Sequence, residues 1–164
     1  EVGSPELGGL SAGDVVLRVL TLQSMRVREY AAYNRGLRDI MSGPGPSASE
    51  AYSELCAHTT SVFQTISQEV VRAREVLEAR ELHAVAQLVT RIQMLEKEKL
   101  TVTAALHLDE FRLSWLGADP QGERRSLEVG RDGTQRRLEA LEERIAEVTQ
   151  ELVAERVELM DEEA

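Results

Sequence analysis

IQMLEKEKLTVTAALHLDEF, residues 92–111, spaces apolar side chains three and four apart around a block of alternating charge, Glu96-Lys97-Glu98-Lys99. That spacing returns an apolar group to one helical face, whereas a half-buried strand alternates by two. The stretch is therefore a helix. Its seam extends both ways as Val85, Leu88, Ile92, Leu95, Lys99, Val102, Leu106, Asp109, Leu113 and Leu116. Since Leu95 and Val102 lie in this seam, Lys97 and Glu98 turn outward, Glu96 flanks it, and Lys99 sits inside it. A lysine there asks for a carboxylate or carbonyl on a facing helix.

The same periodicity recurs on either side. Upstream, Val16, Leu20, Gln23, Val27, Tyr30, Asn34, Leu37 and Met41 make a first seam. Ser11 with Asp14 reads as its capping box. The run SGPGPS, residues 42–47, stops that helix, because proline lacks a backbone donor and disfavours helical geometry in the residue before it. Ser47 with Glu50 reads as a second capping box. The next stripe is Tyr52, Leu55, Thr59, Val62, Ile66, Val70, Ala73 and Leu77, broadened by Cys56 and Phe63 as suits a helix with two neighbours. Around EAREL, residues 78–82, no Gly or Pro intervenes. The break is predicted there only because the earlier seam, carried forward, lands on Arg80, Ala84, Gln87 and Arg91. Gly117 is placed as a left-handed C-terminal cap ahead of Asp119-Pro120. The last seam is Leu138, Leu141, Ile145, Val148, Leu152, Glu155 and Leu159.

These readings predict an all-α fold, an antiparallel bundle of long helices with coiled-coil character. Residues 1–13 form a flexible N-terminal segment, 14–117 a three-helix antiparallel bundle, 118–133 a polar connector, and 134–164 a C-terminal coiled-coil helix with an acidic end. Short connectors make the first three helices run up-down-up. The longer tether leaves two arrangements open for the last helix. It completes the bundle, or it projects and forms a homo- or hetero-oligomer with Leu138, Leu141, Ile145, Val148, Leu152 and Leu159 as its partner-binding face.

Composition narrows the function. The formal net charge is −10 over 164 residues, and residues 131–164 hold eleven acids against five arginines, −6 in that segment alone. Direct nucleic-acid binding is not expected from such a surface, since it depends on clustered Lys and Arg releasing counterions. One cysteine, Cys56, precludes an internal disulfide and fits a reducing compartment. No apolar run approaches the ~18 residues of a membrane span.

Chemistry-bearing motifs are sparse. Cys56 and His58 are two apart and point about 200° from each other on a helix, so they do not form a nucleophile–base pair. The histidines His58, His83 and His107 are isolated. Only His107, with Glu110 three residues on, offers even one ligand pair, so neither a metal nor another cofactor is expected. The arginines of GERRS, residues 122–126, with Arg136 and Arg137, read as solvated, and ELMDEEA, residues 158–164, as a solubilising end. No catalytic residue is assigned. The polar seam residues Gln23, Asn34, Lys99 and Asp109 are read as setting the register of the bundle, the best-attested use of a polar group at such positions.

Three runs also carry a family resemblance: LQSMRVREYAAYNRGLRDIMSGP (22–44), TTSVFQTISQEVVRAREVLEA (59–79) and LVTRIQMLEKEKLTVTAALHLDEF (88–111). Together, over about residues 15–113, they resemble the required-for-excision 1-B family, small helical proteins linked to DNA repair. The resemblance implies a role in excision repair with no enzymatic step and brings no catalytic residues. With the acidic surface, it predicts a non-enzymatic adapter or scaffold in the nucleus, working through protein partners at its helix faces. The rival expectation is a structural coiled-coil subunit of a microtubule-associated assembly, in the cytoplasm or cilium.

Overall fold

The computed structural model of the chain describes residues 6–43, 47–116 and 122–164. A 3-10 turn at Leu7–Gly9 leads into four helices, α1 (Ala12–Ser42), α2 (Ala48–Ala79), α3 (His83–Leu116) and α4 (Glu123–Glu163). Cross-links fix their directions. Tyr33 of α1 meets Tyr52 of α2, Gln93 of α3 meets Ser67 of α2, and Lys99 of α3 meets Glu142 of α4. At one end the Ala12 amide donates to Glu163 and Arg156 donates to the Gly13 carbonyl. Each helix is thus antiparallel to its sequence neighbour, and α4 closes the ring against α1. Of the two arrangements open to the last helix, it takes the first and completes an up-down-up-down bundle.

Two of the predicted boundaries are built as expected. Ser11, in extended conformation, accepts the Asp14 amide at 3.2 Å and starts α1. The break near EAREL is a Schellman turn, in which the Leu82 amide bonds the Leu77 carbonyl and the Glu81 amide bonds that of Glu78. Glu81 holds φ 61°, the left-handed region usually left to glycine. No glycine announces this turn, which is why only the register shift betrays it.

Other boundaries differ. α2 begins after Ser47, but Ser47 has ψ near 3° and its side chain makes no capping bond. Without the extended backbone of a capping residue, its hydroxyl is not directed at the new amides. The N-terminal segment is structured from Leu7 onward, because Leu7 and Leu10 pack on the core and Arg80 donates to the Gly8 carbonyl. The connector expected over 118–133 is mostly helix, since α4 begins at Glu123 and runs 41 residues. Leu127, Arg131 and Thr134 carry the seam back from Leu138, and Arg131 lies 3.8 Å from Glu110 of α3. Gly130 and Gly133, inside the expected connector, face open space and cost the helix about 1 kcal/mol each. The cap assigned to Gly117 and the residues 44–46 lie outside the described residues.

The core runs the length of the bundle. On α1, Val16, Gln23, Tyr30 and Leu37 are buried as the seam predicts, but their companions are Val15, Val19, Leu22, Arg26 and Tyr33. Leu20, Val27 and Asn34 lie at or near the surface instead. The α1 face is wider than one seam and rotated from it, because α2 and α4 both press on this helix while α3 lies diagonally across. α3 likewise buries two stripes. One is the predicted apolar seam, and the other holds Ala86, Val89, Glu96, Thr103, His107 and Phe111.

Candidate functional site

Two polar layers cross this core. In the first, the Arg26 guanidinium of α1 is almost wholly buried. It donates to Gln23 Oε1 at 2.9 Å, to Ser67 Oγ of α2 at 3.1 Å, and to Gln93 Oε1 of α3. Gln23 Nε2 in turn donates to Glu96 Oε1 at 2.6 Å, and the Tyr30 hydroxyl reaches the Glu96 carbonyl. Burial holds the Arg26 pKa below its usual value, opposed by the negative charge of Glu96. Burial, with Glu96 adding to it, raises that of Tyr30. Such a guanidinium is tolerable inside only because both its terminal nitrogens find acceptors and a carboxylate lies near.

Lys99 caps the same layer. Its Nζ lies 3.6 Å from Glu142 of α4 and 4.2 Å above the Tyr30 ring, so the carboxylate its seam position asks for comes from the fourth helix. Glu96, expected at the flank of the seam, is buried. It faces inward because α3 is covered on both sides, and Gln23 and Arg26 supply the polar surroundings a carboxylate requires.

The second layer lies toward the far end of α1. His107 Nε2–H donates to Asn34 Oδ1 at 2.7 Å, which sets the neutral tautomer and leaves Nδ1 buried with no donor among the described residues. Burial lowers the His107 pKa to about 4. The Tyr33 ring packs on this imidazole, and its hydroxyl lies 3.1 Å from that of Tyr52 and 3.4 Å from Cys56 Sγ. Burial and these neighbours raise the Tyr33 pKa; burial first, and Cys56 after it, push that of Tyr52 up to about 12. Phe111 and Trp115 continue the aromatic stack toward the surface.

Three of the four polar seam residues, Gln23, Asn34 and Lys99, therefore stand in these layers. Asp109 does not. It is half-buried and makes no side-chain hydrogen bond or ion pair among the described residues. The six apolar residues expected to bind a partner, Leu138, Leu141, Ile145, Val148, Leu152 and Leu159, are buried inside this chain, against α3 and α1. The bundle has claimed the face that a projecting helix would have offered. Arg26 and Tyr33 escaped the sequence reading, while Tyr52 was read only as a stripe residue and Glu96 only as flanking the seam. A signal was present in the paired spacing Gln23/Arg26 and Gln93/Glu96, where an amide precedes a charge by one helical turn inside an apolar stretch.

Among the described residues no group of three or more His, Cys, Asp or Glu is arranged to hold a metal, and no helix is long and apolar enough to cross a membrane. Sliding one helix by a turn, about 5.4 Å, would strand Arg26 and Glu96 without partners.

Neither a curated protein nor a solved structure matches the chain. Residues 14–110, more than half of it, match the family described as DNA repair REX1-B. That span takes in nearly all of α1, all of α2 and most of α3, and with them both polar layers apart from Glu142. It ends before α4, the helix that completes the core. On this match, in agreement with the resemblance of the three sequence runs, the chain belongs to the DNA repair REX1-B family.

Proposed function

We propose that the protein is a non-enzymatic helical adapter in DNA excision repair, working in the nucleus through protein partners held on its outer helix faces. Family membership supports the link to DNA repair. The observation that carries the finer reading is where the polar chemistry lies. Arg26, Glu96, His107 and the tyrosines are engaged inside the bundle, while the outside is acidic and displays apolar side chains such as Val27, Met94, Trp115 and Val153. Such a surface repels DNA phosphates and accommodates other proteins.

The test has two parts. The purified chain should show no salt-sensitive affinity for duplex or damaged DNA. A tagged chain in damaged cells should crosslink to excision-repair proteins in the nucleus. Submicromolar, salt-dependent DNA binding would overturn the proposal. So would crosslinking confined to tubulin or ciliary components.

A further inference from the structure

α1 carries an apolar stripe at helical spacing, Leu20, Val27 and Ala31, of which Leu20 packs partly on the core while Ala31 and Val27, the latter 63% exposed, are left uncovered. Across from it, α4 presents Ala146 and Val153, the latter 40% exposed. Between the two helices opens a groove of about 690 Å³, floored by Glu96. α1 and α4 touch at their shared end, where Gly13 lies close against Met160, and small residues farther along leave the gap.

The floor is chemically incomplete. Glu96 is only 7% exposed, and while Oε1 accepts from Gln23, the buried Oε2 meets no hydrogen-bond donor among the described residues. A buried carboxylate oxygen left unpaired is costly, and a cation reaching it from the groove would relieve that cost. Glu96 also borders a groove between α2 and α3, but that one already contains Arg26, Arg74 and Lys97. In the α1–α4 groove the charged lining is Glu96 and Glu142 against Lys99 alone, and Lys99 is committed to Glu142 and the Tyr30 ring. The excess charge is negative.

We propose that the α1–α4 groove receives an amphipathic helix from a partner protein, with apolar residues against Val27 and Val153 and one arginine directed at Glu96 Oε2. A planar guanidinium suits a buried carboxylate better than an ammonium does, and apolar walls one helix apart fit the helix-in-groove mode. A second copy of this chain suits the groove poorly. Its own exposed apolar stripe on α4 is interleaved with Glu155, Glu158 and Asp161, acids brought against an acidic floor. This inference rests on the adapter reading and supplies the chemistry of the partner.

The probe is a stapled helical peptide with leucines at i, i+3 and i+7 and a central arginine, compared with its glutamine counterpart by fluorescence anisotropy on the full chain. The arginine peptide should bind about tenfold more tightly, and E96Q should cut that ratio below about twofold. V27E and V153E, which alter exposed positions, should each weaken the arginine peptide about tenfold with the melting temperature unchanged. Equal binding of the two peptides, or indifference to V27E and V153E, overturns the proposal. Sedimentation showing a dimer broken by V27E overturns it too, since the occupant would then be a second copy. In cells lacking the protein, full repair by the V27E/V153E double variant would remove the groove and leave the adapter reading standing. Failure of the unaltered chain to crosslink to any repair protein would remove both.

Discussion

Gln23 on α1 and Glu96 on α3 meet at 2.6 Å across the diagonal of the bundle, and the same glutamine accepts from the buried guanidinium of Arg26. One neutral amide thereby joins an acid and a base that are not themselves in direct contact. A polar seam residue ordinarily costs stability, so Gln23→Leu would be expected to help in a plain coiled coil. Here it removes the donor to Glu96 Oε1 and one acceptor of Arg26. The variant should lose about 2–3 kcal/mol in urea unfolding, the cost of leaving buried polar groups unmet. A gain in stability would show that the two charges find other partners.

His107 gives the protein a pH signature. Its pKa is lowered to about 4 by burial, from about 6.5 in an unfolded chain, so the unfolded state takes up the proton first as the pH falls. Its contribution is complete above about pH 6.5, declines between there and about pH 4, and is level below. Up to about 3 kcal/mol is at stake. His107→Gln should flatten the stability curve in that window relative to the unaltered chain, measured by denaturant midpoints at stepped pH. Parallel curves for the two proteins would mean that His107 is free to protonate in place.

Glu81 supports a third expectation. Its φ of 61° is a left-handed conformation that costs an L-residue about 1 kcal/mol, and the backbone bonds of the turn do not involve its side chain. Glu81→Gly should raise stability by up to about 1 kcal/mol, read as a higher melting temperature with an unchanged helical spectrum. A loss would mean that glycine's extra freedom in the unfolded chain outweighs the relief of strain.

The comparison of sequence with structure turns on what each side chain reports. The α4 seam is visible because Leu138, Leu141, Ile145, Val148, Leu152 and Leu159 are all apolar and all buried, so period and burial coincide. On α1 they part. Leu20 and Val27 continue the period yet line an open groove, while Arg26 breaks it and is buried. Periodicity counts apolar residues on one helix, whereas the burial of Arg26 is decided by Ser67 and Gln93 on two others. Lys99 was recognisable as a residue needing a carboxylate, but Glu142 lies 43 positions on, and only the closing of α4 onto α3 selects it. The start of α4 was obscured for a simpler reason. Gly130 and Gly133 resemble loop residues, and their helical state depends on packing against α3 around Glu110 and Leu113.

The most direct test is to remove α4. This helix lies in the same core as the family-matching segment, with six of its apolar side chains buried and Glu142, Glu151 and Glu163 paired to α3 and α1. Sedimentation and thermal unfolding of the chain with and without residues 123–164 should show the intact protein as a monomer with one cooperative transition, and the truncated one melting well below it or self-associating through the bared face of α3. An intact chain that dimerises and a truncated chain that melts unchanged as a monomer would contradict it, returning Leu138 to Leu159 to a partner outside the bundle.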